Sequence, residues 1–132
     1  MSETIRISSK LGQARQVEKL LLDEAEKFGY GEAAIFAIKL ALEEALNNAI
    51  KHGNGFDSGK TVEVAFDIDA RQAVVTITDQ GRGFNPKSVP DPTADENLEK
   101  PCGRGIMLMK AYMDRVEYNK QGNQVRLVKR NG

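Results

Sequence analysis

The 132-residue chain carries nineteen basic and nineteen acidic side chains, and a formal net charge of +0 leaves no long-range field to argue for direct nucleic-acid binding. Its length suits one domain, residues 1–132, able to bury about two-thirds of its unfolded surface in a single core. No apolar run approaches the roughly 18 residues that span a bilayer, and one cysteine, Cys102, excludes an internal disulfide and a multi-cysteine metal centre.

The opening residues Met1-Ser2-Glu3-Thr4 have neither the basic nor the apolar region of a signal peptide, so a cytoplasmic protein without a membrane partner is expected. Thr4-Ile5-Arg6-Ile7-Ser8 alternates with period two and predicts a short strand. Over residues 11–28, Ala14, Val17, Leu20, Leu21, Leu22, Ala25 and Phe28 recur at three- and four-residue spacing, which predicts a helix closed by Gly29 and Gly31. A second helix is expected over 32–52, stopped by Gly53-Asn54-Gly55. On its wheel Ile35, Ile38, Leu42, Ala45, Leu46 and Ala49 gather on one side, with Glu44, Asn48 and Lys51 roughly opposite.

Residues 61–68 and 73–78 predict two antiparallel strands joined by Asp69-Ala70-Arg71-Gln72. The composition then changes. Residues 85–102 lack apolar periodicity and contain all four prolines, Pro86, Pro90, Pro92 and Pro101. A loop of that length inside a domain is expected to be a lid or a binding loop. A short helix over 106–113 and two strands around 115–118 and 124–128, turned at Gln121-Gly122-Asn123, complete the chain.

Three segments carry chemistry. Glu44 and Asn48 put a carboxylate and an amide one helical turn apart, a pair able to position a metal ion. Asp79 precedes a glycine turn in Asp79-Gln80-Gly81-Arg82-Gly83 and can read a base, while Gly103-Arg104-Gly105 at a helix start can cradle phosphate. Taken singly, each has an ordinary alternative: a solvated helix face, a turn after a strand, a closely packed helix start. His52 reads as a C-terminal cap, and Arg126, Lys129 and Arg130 as charges on an exposed strand. The chain contains neither Gly-x-x-x-x-Gly-Lys-Ser/Thr nor the third glycine of a dinucleotide fingerprint.

In order, a helix with Glu and Asn, a strand ending in Asp-x-Gly-x-Gly, a proline-rich lid and a Gly-x-Gly helix resemble the GHKL, or Bergerat-fold, ATPases. Within that superfamily the chain is most similar to the anti-sigma factor serine kinases, from the first strand through Leu-Glu-Glu-Ala-Leu-Asn-Asn-Ala-Ile-Lys-His-Gly to the last. The resemblance implies an α/β (α+β) two-layer sandwich, with a mixed, mostly antiparallel sheet, helices on one face and the nucleotide between helices and lid. It implies ATP and Mg²⁺ as cofactors, and as partners a sigma factor, an anti-anti-sigma (STAS-type) antagonist phosphorylated on Ser or Thr, and a second copy of the chain.

By the same resemblance Glu44 is the catalytic carboxylate, Glu43 pointing about 100 degrees away, and Asn48 holds Mg²⁺. Asp79 accepts a hydrogen bond from the exocyclic amine of adenine, which guanine lacks at that place. Gly81 and Gly83 leave room for base and ribose, the amides of Gly103, Arg104 and Gly105 face the phosphates, and Lys51 reaches toward them. The chain departs from the pattern twice. Kinases of this group have an Arg shortly before the final Gly-x-Gly, where Lys100-Pro101-Cys102 stands here, so Lys100 or Arg104 is the expected substitute. The last strand, near Gln124-Val125-Arg126, also lacks the superfamily's phosphate-binding Thr. A non-enzymatic regulator gated by nucleotide is therefore the second reading. A detached histidine-kinase catalytic module is the third, disfavoured because a helical hairpin with a phosphoacceptor His does not fit in this length.

Overall fold

The computed structural model describes residues 2–81 and 101–131. Its elements are β1 (Ser2–Ser8), α1 (Leu11–Lys27), α2 (Glu32–Asn47), β2 (Thr61–Ile68), β3 (Gln72–Thr78), α3 (Pro101–Tyr112), β4 (Arg115–Tyr118) and β5 (Gln124–Arg130), with a π-helical turn over Asn48–Gly53 continuing α2. The loop expected over 85–102 lies outside the described residues up to 100. Its last two residues open α3, which starts five residues before the expected 106 because Pro101 suits the first helical position.

Period-two alternation builds the sheet. Val62, Val64, Phe66 and Ile68 of β2 and Ala73, Val75 and Ile77 of β3 are buried on one face, where they meet the helices. At the hairpin between them Asp69 Oδ1 accepts the amides of Arg71 at 2.8 Å and Gln72 at 3.0 Å, an Asx-type turn. The strand order is β1-β2-β3-β5-β4, and every described pairing is antiparallel. The expected mixed sheet thus has no parallel pair among the described residues. β3 and β4 do run parallel, as a helical crossover through α3 requires, but β5 lies between them.

Three helices cover that face, giving the two-layer sandwich. The apolar stripe of α1 (Ala14, Val17, Leu21, Ala25) and that of α2 (Ala34, Ile38, Leu42, Ala45, Leu46) are buried, Leu21, Ile38, Leu42 and Leu46 almost completely. Gly29, at φ +81°, lets the chain leave α1, and the Tyr30 amide reaches back to the Ala25 carbonyl at 3.1 Å. No described helix is long and apolar enough to cross a membrane.

The helix expected over 32–52 is α-helical only to Asn47. Beyond it the winding widens, and the Asn54 amide donates to the Ala49 carbonyl, five residues back, at 2.8 Å. Apolar periodicity cannot distinguish the two windings over a single turn, yet the difference decides which side chains enter the cleft below. The π turn, the end of β3 and the start of β5 meet at one end of the sheet.

Candidate functional site

A cavity of about 130 Å³ opens at this end, between α2 with its π turn and the strands β3 and β5. Ala45, Ala49, Ile77 and Val125 give it apolar walls, and Asp79 and Asn48 add polar groups. Cavities of about 150 Å³ take up a single aromatic ring. Apolar walls with a few polar groups, Asp79 among them, suit a flat heteroaromatic group bearing an N–H edge.

Asp79 follows directly on β3. Its amide donates to the Asn123 carbonyl at 2.9 Å, and its Oδ1 accepts the Gly81 amide at 2.8 Å. Oδ2 has no hydrogen-bond partner among the described residues. Burial pushes the carboxyl above its usual range, while the Gly81 N–H and the charge of Lys60 pull it back. The result is a half-buried carboxylate with one oxygen held by backbone and one lone-pair-bearing oxygen to offer.

Two glycines make this possible. A Cβ on Gly53 would fall on the Asp79 carboxyl group, and one on Gly81 would fall on the Gly53 carbonyl. Gly81 was expected to make room for base and ribose. The structure shows a further requirement, the backbone of the π turn, which packs directly against it. Gly53, read from sequence only as a helix stop, shares that role.

Asn54, another residue read as part of the glycine break, is 3 % exposed. Its Oδ1 accepts the Gln80 amide at 2.8 Å, and its Nδ2 donates to Ser9 Oγ and to the Thr61 carbonyl, both at 3.0 Å. Gln80 Oε1 in turn accepts the Thr61 amide at 2.7 Å. No sequence signal separated Asn54 from an ordinary turn former, since Asn between glycines is what turns use.

Glu44 and Asn48 are half-buried rather than solvated, because α3 packs across them. A Cβ on Gly105 would stand 2.7 Å from Glu44 Oε2 and 3.3 Å from Asn48 Nδ2. Two motifs more than fifty residues apart in the sequence therefore meet, and Asn48 also lines the cavity that holds Asp79. Glu43 faces the other way, into a groove between α1 and α2, where it hydrogen-bonds Glu18.

Other expected residues fall differently. Lys51 is exposed and lines the α1–α2 groove rather than the cavity, because the wider winding after Asn47 turns it away from the Glu44–Asn48 face. His52, expected to cap the helix, lines the cavity. Gly103, Arg104 and Gly105 lie inside α3 instead of preceding it. In an α-helix begun at Pro101, the Gly105 amide is directed at the Pro101 carbonyl, so the free amides belong to the turn before it. What Gly105 contributes is the close approach of α3 to Glu44. Gly83 and Lys100 lie outside the described residues.

The chain is similar to known proteins. A family model described as the histidine kinase-like ATPase domain matches residues 7–129. Among curated relatives, the serine-protein kinase RsbW of Oceanobacillus iheyensis is 27 % identical over 74 % of this chain and 65 % of its own length. The RsbW of Bacillus licheniformis is 33 % identical over 70 % of this chain and 61 % of its own. An anti-sigma F factor of Anoxybacillus flavithermus is 35 % identical over 70 % of this chain and 66 % of its own. The chain thus spans less than two thirds of the length of each of these relatives. A crystal structure of the RsbU and RsbW domains of a Mycobacterium tuberculosis protein has the same fold, with a TM-score of 0.66 at 17 % identity over 99 % of this chain and 32 % of that one.

Proposed function

The chain belongs to the histidine kinase-like ATPase domain family, and from that premise we propose that it is an ATP-binding anti-sigma regulatory factor and a Mg²⁺-dependent protein serine/threonine kinase acting on an anti-anti-sigma antagonist. One observation carries the proposal. Glu44 on α2, Asn48 at the start of the π turn and Gly105 on α3 converge beside the cavity that holds Asp79, so a carboxylate for proton transfer stands next to a pocket fitted for a base.

The donor chemistry suits the cofactors. Asp79 Oδ2 is the acceptor for the adenine amine, and the carbonyl of Asn48 is a hard oxygen ligand suited to Mg²⁺, which binds few protein groups and keeps phosphate and water ligands. Bound ATP with Mg²⁺ supplies the phosphoryl group and neutralises its charge. The protein's own part is to orient and to accept a proton. Glu44 holds the acceptor's hydroxyl by its hydrogen and takes that proton as the oxygen bonds to phosphorus and the ADP oxygen leaves. By the family resemblance, Lys100 or Arg104 is assigned to the γ-phosphate in place of the group's Arg, and Gly83 to the base. The partners in this reading are a sigma factor, a STAS-type antagonist and a second copy of the chain, in the cytoplasm. The names borne by relatives, serine-protein kinase and anti-sigma F factor, support it.

Single-turnover transfer from ATP to a candidate antagonist tests the proposal, with Glu44→Ala compared to the parent chain. The expected result is a phosphorylated Ser or Thr with the parent protein and a rate reduced about a hundredfold or more in the variant. Equal rates would overturn the assignment of Glu44. ATP binding without any transfer would favour the non-enzymatic, nucleotide-gated regulator.

A further inference from the structure

We propose that Asn54 is the positioning residue that sets Asp79 at the distance from α2 which adenine recognition needs. The inference rests on the adenine-binding reading above and adds to it a residue outside the three motifs.

The π turn and the Asp79–Gly81 segment are two stretches of backbone joined by no ladder of strand hydrogen bonds, yet they pack closely enough that neither Gly53 nor Gly81 has room for a Cβ. Something must fix their separation. Asn54 follows Gly53 directly, and its Oδ1 takes the amide of Gln80, the residue between Asp79 and Gly81. The bond therefore acts on both neighbours at once, locating the Gly53 carbonyl against Gly81 and the Asp79 carboxyl against Gly53. The same side chain is anchored at its other end, since Nδ2 spends both hydrogens on Ser9 Oγ and the Thr61 carbonyl. Ser9 passes the restraint on, donating to the Lys60 carbonyl at 2.9 Å.

A buried amide satisfied on both sides is a stiff spacer, because moving it leaves unpaired polar groups behind. Its backbone adds to this: the Asn54 amide closes the π turn onto Ala49, which lines the same cavity as Asp79. One residue thus couples the wall that would cover the base to the carboxylate that would read it. Ser9 supplies the contrast. It belongs to the same network and is equally buried, at 3 % exposed, but its hydrogen bonds go to Asn54 and Lys60 rather than to Gln80, and it is not among the residues lining the cavity.

That contrast makes the test specific. ATP and GTP affinities are measured by calorimetry for the parent protein, Asn54→Ala and Ser9→Ala, with thermal unfolding in parallel. Both variants are expected to lose stability, but only Asn54→Ala should lose selectivity, its ATP-over-GTP affinity ratio falling about tenfold or more. If Asn54→Ala does not fold, Asn54→Ser, too short to reach the Gln80 amide, carries the same expectation. A parent-like ratio in a folded Asn54 variant overturns the inference, as does an equal fall in Ser9→Ala. A parent protein that does not prefer ATP overturns the adenine-binding reading itself, and is distinguishable because no variant is needed to see it.

Discussion

α2 is flanked by two clefts, and each holds a carboxyl group raised by burial. In the cavity against β3 and β5, Asp79 is met by a backbone N–H and lies near the ammonium of Lys60, and both favour its charged form. In the groove against α1, of about 620 Å³, Glu18 is 8 % exposed and hydrogen-bonds a second carboxyl, Glu43. Burial and the charge of Glu43 push Glu18 to about 7, against the opposing charges of Lys39 and Arg15. The same desolvation thus has two outcomes. Where backbone donors are supplied, the carboxylate stays available as an acceptor. Where the neighbour is another carboxyl, the pair keeps a proton between them and offers a ligand little.

The largest expected effect is on the side that the backbone prepares. Replacing Asp79 with Ala removes an ionised acceptor and should weaken ATP binding by about tenfold to a hundredfold, whereas Glu18→Gln should leave it at the parent value. Calorimetric titration of the two variants checks this. If Glu18→Gln weakened ATP binding as much as Asp79→Ala, the two clefts would not be functionally separate.

The next effect belongs to the groove and appears in stability rather than binding. The Glu18 carboxyl is raised from 4.5 to about 7 in the folded protein, so the native state holds a proton that the unfolded chain has released between those values. Stability therefore falls as pH rises through this window and stays low above it. Glu18→Gln removes the titrating group. Relative to the parent protein it should gain on the order of 1–3 kcal/mol between pH 5 and pH 8. Denaturant unfolding at the two values checks this, and a parallel pH dependence in parent and variant would mean that the proton is held elsewhere. Arg15 from α1 and Lys39 from α2 damp the slope without reversing it, and Lys19, Asp23 and Glu26 from α1 and Lys51 from the π turn are the other charges lining the groove.

How far each cleft was legible in the sequence follows from the kind of signal it needs. The strands were legible because alternation in 61–68 and 73–78 is periodic over many residues, while Glu44, Asn48 and Asp79 were singled out by residue type and motif order. The π turn was not, since a change of winding over six residues leaves the apolar pattern intact, and with it Lys51 was put on the wrong side. Gly105 was identified for its amide, while its missing side chain is what α3 needs against Glu44. Asn54 and the Glu18–Glu43 pair stayed hidden for a common reason. Each depends on partners 25 or more residues away in sequence, Gln80 in one case and α1 against α2 in the other, and no local pattern encodes a distance between elements.

The smallest effect probes how finely the nucleotide-side carboxylate is balanced. Among the influences on Asp79, burial raises it most, the Gly81 amide opposes burial, and the charge of Lys60 opposes it further. An acceptor for the adenine amine must be ionised, so ATP binding should decline as pH falls through the raised value of Asp79, an acid limb lying above that of a free aspartate. Lys60→Met takes away the weakest of these influences and leaves the hydrogen bond from Gly81 in place. The acid limb should then move to higher pH, with affinity at pH 8 unchanged, because there the carboxylate is ionised with or without Lys60. Titrations across the acid range check the direction. A limb that stays where it was would mean that solvent screens Lys60 from the cavity, leaving the backbone amide as the group that keeps Asp79 charged.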